Sequence, residues 1–175
     1  LFTFSLTCQA IGVRPLVINL DMEPGETQEF ELELSPENRQ EAVALNLYHP
    51  SQQLSGKLSY EEGNMLQHPA IAWIDIQDQV IVPPGEKTVV KGTVQVPYGA
   101  GGSHTAVIMV EPVEALGEEG VVQFMLRYAV RVNINIDRPG LREIAEVSEF
   151  ILQVSEDKKP VISALIKNPS LLHYL

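Results

Sequence analysis

Two Pro-Gly-Glu turns each open directly into an extended run. Glu23-Pro24-Gly25-Glu26 precedes a stretch in which Phe30, Leu32 and Leu34 alternate with Glu29, Glu31 and Glu33, and Pro83-Pro84-Gly85-Glu86 precedes Lys87-Thr88-Val89-Val90. Proline presets φ at the first central position of a turn, and glycine supplies the positive φ that a type II turn needs. A period of two sends alternate side chains to opposite faces, so the apolar set is buried while the glutamates stay in water. Turns and half-buried strands in this order imply an all-β chain folded as a β-sandwich. A sandwich is a scaffold, and function has to be argued from its sites.

Further strand candidates follow at sandwich spacing. They are Val13 to Leu20, with Pro15 near an edge or a strand start, and Ala42 to Tyr48, stopped by His49-Pro50-Ser51. Leu54 to Tyr60, Ala70 to Ile76 and Gln79 to Val82 come next. Lys87 to Val96 carries Gly92 at an expected bulge or close approach. Pro97 to Gly102 reads as a flexible connector, and Thr105 to Val110 as a strand buried on both faces. The longest alternation runs through Val122, Phe124, Leu126, Tyr128, Val130, Val132, Ile134 and Ile136. As one strand it would reach roughly 50 Å at ~3.3 Å per residue, so it is expected to bend or to be shared between two sheets. Asp137-Arg138-Pro139-Gly140 then breaks the pattern as a joint, and Glu149 to Val154 and Val161 to Ile166 read as two further strands. Helical periodicity is weak throughout, the best stretch being Gly140 to Ser148.

Composition narrows the function classes. The 175 residues are 45% hydrophobic, enough for a core. A formal net charge of −11 repels phosphate backbones and anionic headgroups, which argues against nucleic-acid and direct lipid binding. The single thiol, Cys8, rules out an intrachain disulfide. Leu1 to Ala10 is similar to the end of a secretory signal's apolar region; the same ten residues also suit an ordinary first strand.

Catalytic spacing is missing. His49, His68, His104 and His173 are scattered without a metal-ligand pattern, and no nucleophile elbow, phosphate loop or dinucleotide fingerprint occurs. Neither a cofactor nor a metal is expected, and the chain reads as non-enzymatic. Glu61-Glu62 and Glu118-Glu119 suit solvated turns better than paired acid–base chemistry. The candidate ligand contacts are Tyr98 and His104, which flank the glycine connector, and Trp73, either a stacking platform or a core residue.

Several segments taken together resemble the peptidoglycan-binding domain of the WxL-interacting proteins of Gram-positive surfaces. They are Leu20 to Gly25, Gly56-Lys57-Leu58-Ser59-Tyr60, Val82 to Lys87, Val96-Pro97 before a glycine pair, and Arg127 to Val132, with Ala164 to Pro169 similar to the opening of that family's second domain. Ser35 to Arg39 replaces the usual Asn-rich turn, and Ser103-His104 follows the glycine pair where an apolar run is usual. Residues 1–10 are read as the remnant of an export signal, and 11–137 as a β-sandwich that the resemblance implies is immunoglobulin-like. Residues 138–175 are then a linker and the N-terminal part of a second, truncated immunoglobulin-like domain. It further implies an exported cell-surface module that contacts cell-wall peptidoglycan and surface proteins. The alternative is similarity to pilus-type assembly chaperones, also built from two immunoglobulin-like domains. On that alternative Val122 to Ile136 donates a strand to a subunit, with Arg14, Arg127 and Arg131 as candidate carboxylate anchors.

Overall fold

The structure, a computed structural model, describes residues 11–35, 39–53, 55–62, 69–113, 126–142 and 144–170. Two sheets face each other. The first contains β1 (Gly12–Arg14), β3 (Thr27–Ser35), β8 (Thr88–Gln95) and β6 (Ile74–Ile76), in the order β1-β3-β8-β6. The second is ordered β2-β10-β9-β4-β5, from β2 (Val17–Met22), β10 (Tyr128–Ile136), β9 (Gly102–Pro112), β4 (Glu41–Gln52) and β5 (Leu58–Glu62). A further strand, β7 (Gln79–Val82), pairs with the start of β4. The fold is thus the all-β sandwich that the alternation implied, with the immunoglobulin-like character that the resemblance implied.

Strand alternation builds the core as expected. Phe30, Leu32 and Leu34 of β3 and Val90 and Val94 of β8 point inward from the first sheet. Val130, Val132, Ile134 and Ile136 of β10 and Ile18, Leu20 and Met22 of β2 meet them from the second. No buried polar or charged residue interrupts this set among the described residues. The outward glutamates are partly neutralised from the neighbouring strand, Lys87 reaching Glu33 at 2.7 Å and Lys91 reaching Glu31 at 3.2 Å. The Lys87 hydrogen bond holds the Glu33 carboxyl below the usual glutamate range, with Arg14 adding a smaller pull in the same direction.

Both turn glycines adopt the required left-handed φ, +85° at Gly25 and +73° at Gly85. Gly92 serves a different need. It lies opposite Phe30 in the β3–β8 register, and a Cβ there would run into the Phe30 ring. Close approach, rather than a bulge, explains this glycine.

Four expectations are corrected. Val13 to Leu20 is not one strand. It breaks after Arg14 at Pro15, and the two halves join different sheets. Proline, lacking an N–H, supplies no ladder donor at that position. Ala70 to Ile76 is instead a short helix, α1 (Pro69–Ala72), followed by β6, with Ala70 and Ile71 packed into the core. His49-Pro50-Ser51 does not stop β4, because β5 pairs with β4 through all three residues. Gly140 to Ser148 holds no described helix; β11 (Glu146–Val154) begins inside it. The described part of the long alternation, Tyr128–Ile136, lies in one sheet. The start of that alternation, residues 121–125, lies outside the described residues, as do residues 1–10, His68, His173 and the Glu118-Glu119 pair.

Beyond the joint, β11 and β12 (Pro160–Lys167) form an antiparallel pair with a register shift between Ser148 and Ile151, where Glu149 has φ +54°. Its two strands match the two expected after the joint. Phe150, Leu152, Val154 and Ile162 are all more than two-thirds exposed, and neither face of this pair is buried among the described residues.

Candidate binding edge

The break at Pro15 determines which part of β10 has a neighbour. After the break, β2 runs parallel to β10 from Val17 opposite Arg131 to Met22 opposite Ile136. The Arg131 N–H donates to the Leu16 carbonyl at 3.0 Å, and that bond ends the contact. On its other side β10 pairs with β9 along its whole length, from Tyr128 opposite Val110 to Ile136 opposite Gly102. Residues 128–130 therefore have one side in the ladder and, among the described residues, no strand on the other. Backbone polar groups alternate in direction along a strand. Since the Arg131 N–H points to β2, the Ala129 N–H and C=O point to that open side, and the Val130 N–H points to Ile108 in β9. Exposed apolar side chains border the opening, with Leu126 on β10's approach and Leu16 and Val17 beside it, each about half exposed.

Polar side chains secure β2 at its register. Asn133 Nδ2 donates to Asn19 Oδ1 at 2.8 Å, and Asn135 Nδ2 donates to Asp21 Oδ1 at 3.1 Å. Thr105 on β9 extends the first of these pairs by donating to Asn133 Oδ1 at 3.3 Å. Each bond joins residues directly opposite in the ladder, and such cross-strand pairs resist register slip.

The three arginines have separate surroundings. Arg14 lies opposite Glu33 in the first sheet. Arg127 forms an ion pair with Glu111 at 3.0 Å, and Glu111 also accepts from Asn46 Nδ2 at 3.0 Å. Arg131 is exposed on β10, directly beside the end of the open edge.

Tyr98, His104 and Trp73 lie at the other end of β10, near the joint. Trp73 is only 9% exposed and belongs to the core cluster, its ring meeting His104 edge-on with centroids 4.7 Å apart. His104 is half-buried, with Nε2 3.2 Å from the Gly101 carbonyl. Tyr98 is 87% exposed, and its ring covers Gly25. Trp73 and His104 are thus brought together as packing for the sandwich end, and Tyr98 alone offers an open aromatic face. Among the described residues no group of three His, Cys, Asp or Glu is placed to hold a metal ion, and no helix is long and apolar enough to cross a membrane.

No family model and no curated protein sequence matches the chain. Solved structures do. A chain of the chaperone–tip adhesin complex of CFA/I fimbriae superposes with TM-score 0.60 at 11% identity, covering 93% of this chain and 68% of that one. A chain of the CsuC–CsuE chaperone–tip subunit pre-assembly complex from the archaic chaperone-usher Csu pili of Acinetobacter baumannii gives 0.56 at 13% identity, covering 93% and 78%. The PapD-like domain 7 of human CEP192 gives 0.50 at 19% identity, covering 78% and 92%. At such identities the likeness is one of fold. Because these neighbours are chains of fimbrial chaperone complexes, the expected module contacting cell-wall peptidoglycan is not upheld.

Sequence reasoning did not find the open edge itself. Its signal was present in the Pro15 break, which ends one strand and starts the next on a different sheet. Only the ladder register shows how far along β10 the second strand reaches.

Proposed function

We propose that the chain is the strand-donating part of an exported, non-catalytic assembly chaperone whose cargo is an immunoglobulin-like subunit lacking one strand. One observation carries this reading: the first residues of β10 keep an unoccupied main-chain edge among the described residues, because the β2 pairing begins only at Val17 opposite Arg131. The alternation Val122, Phe124 and Leu126 leads into that edge in the sequence. In strand addition the main-chain bonds supply affinity and alternate side chains supply specificity, and chaperone–pilin complementation is one form of it. The likeness to chains of fimbrial chaperone complexes supports the same reading. The partner is then a protein. The net charge of −11 disfavours nucleic acid and anionic lipid as alternatives.

Refolding from urea tests the proposal. A pilin domain deleted of one strand aggregates when diluted alone. Diluted into this protein, it is expected to elute as a soluble equimolar complex by size-exclusion chromatography with light scattering. Aggregation undiminished by the protein would overturn the reading.

A further inference from the structure

We propose that Arg138 is a clasp that fixes the direction in which the chain leaves the sandwich. Arg138 lies two residues past the end of β10, just after Asp137, whose N–H is still held by the Met22 carbonyl at 3.1 Å. Its guanidinium turns back across the β8–β9 connector, donating from Nη1 to the Gly99 carbonyl at 2.6 Å. A charged donor makes the stronger class of hydrogen bond. The side-chain stem lies over Gly101, where an added Cβ would come within 2.8 Å of Arg138 Cδ and 3.0 Å of its Cβ. Leu141 closes over the same glycine, with its Cδ1 3.4 Å from the position of that Cβ. A turn follows, the Leu141 N–H donating to the Arg138 carbonyl, with Gly140 at φ +93°.

These contacts meet at one point. Gly101 is buried although it lies in a loop, and what covers it is the joint itself. Its φ is not left-handed, so it is glycine for lack of room and not for backbone freedom. The connector that reads as flexible in sequence is therefore a seat, and Arg138 with Leu141 sits in it. Joint residues that would otherwise swivel are fastened to the sandwich, and the following pair β11–β12 leaves in a set direction. This inference is independent of the chaperone reading, since it concerns only how the joint is held.

Backbone ¹⁵N relaxation on the full 175-residue chain tests it. Amides of Gly140, Leu141 and Arg142 are expected to show order parameters near those of β10, about 0.85, and to fall below about 0.6 in Arg138→Ala. Gly101→Val, which leaves Arg138 intact but fills its seat, is expected to produce the same loss. Unchanged shifts for residues 131–136 report that the sandwich remains folded in both variants. The inference is overturned if the joint amides are already loose in the unsubstituted chain, or if they stay rigid in both variants.

Discussion

Proline scanning at two adjacent positions separates an open edge from a paired one. At Ala129 the N–H points to the side of β10 without a described strand, so Ala129→Pro removes a donor that no ladder bond among the described residues uses. Edge strands tolerate proline where the lost N–H faces outward, and the cost to folding should stay within about 1 kcal/mol. At Val130 the N–H points to Ile108, and the side chain is fully buried. Val130→Pro removes the ladder donor and leaves the Ile108 carbonyl unsatisfied, at a cost of about 1–3 kcal/mol. With a urea slope of about 2 kcal/mol/M, the two midpoints should differ by about 1 M. Strand capture should respond in the opposite order of specificity. Ala129→Pro, though folded, forfeits a main-chain bond to the incoming strand, and its affinity for a strand-deleted pilin should weaken by about 2- to 13-fold. Equal urea midpoints for the two variants would refute the assignment of the open side. Undiminished capture by a folded Ala129→Pro protein would refute its use.

Other consequences can be measured on the free protein. Ile134→Ala, at a fully buried position on β10, should cost about 2–5 kcal/mol by urea denaturation, whereas Ile81→Ala, 61% exposed on β7, should cost less than about 0.5 kcal/mol. Gly92→Ala forces the Phe30 ring from its seat and should destabilise by about 1–3 kcal/mol; combining it with Phe30→Leu should recover part of the loss. Glu33 titrates below the ordinary glutamate range because Lys87 bonds its charged form. Its small, exposed contribution to stability is complete above the unfolded-state pKa and disappears as pH falls through the lowered folded value. Lys87→Gln should return the Glu33 carboxyl toward the ordinary range in an NMR pH titration, and an unmoved titration would reject the pair.

What the sequence disclosed depended on whether local pattern or distant partners decided the outcome. Phe30, Leu32 and Leu34 declared their strand because alternation is a local signal, and Gly25 declared its turn for the same reason. Ala70-Ile71-Ala72 misled because a short apolar run suits a buried helix turn as well as a strand. Pro50 misled in the other direction. Proline usually ends strands, yet here β4 continues past it on pairing with β5 that no local pattern reveals. The arginines that share a stretch of sequence or a strand end have different neighbours, Arg127 being taken up by Glu111. Trp73 was legible only as a choice between platform and core, and its contact with His104 decides for the core. The open edge was the least legible feature, because it depends on where β2 stops against β10, and that is a matter of register between residues more than a hundred positions apart.

Amide hydrogen exchange at Ala129 tests most directly whether the first turn of β10's open side receives a strand. Without a partner the Ala129 amide should exchange far faster than its neighbour at Val130, and adding a strand-deleted pilin should slow it to the rate of the ladder amides. If Ala129 is already protected in the free protein, or stays fast while the pilin is demonstrably bound, the strand enters elsewhere and the assignment of this edge is wrong.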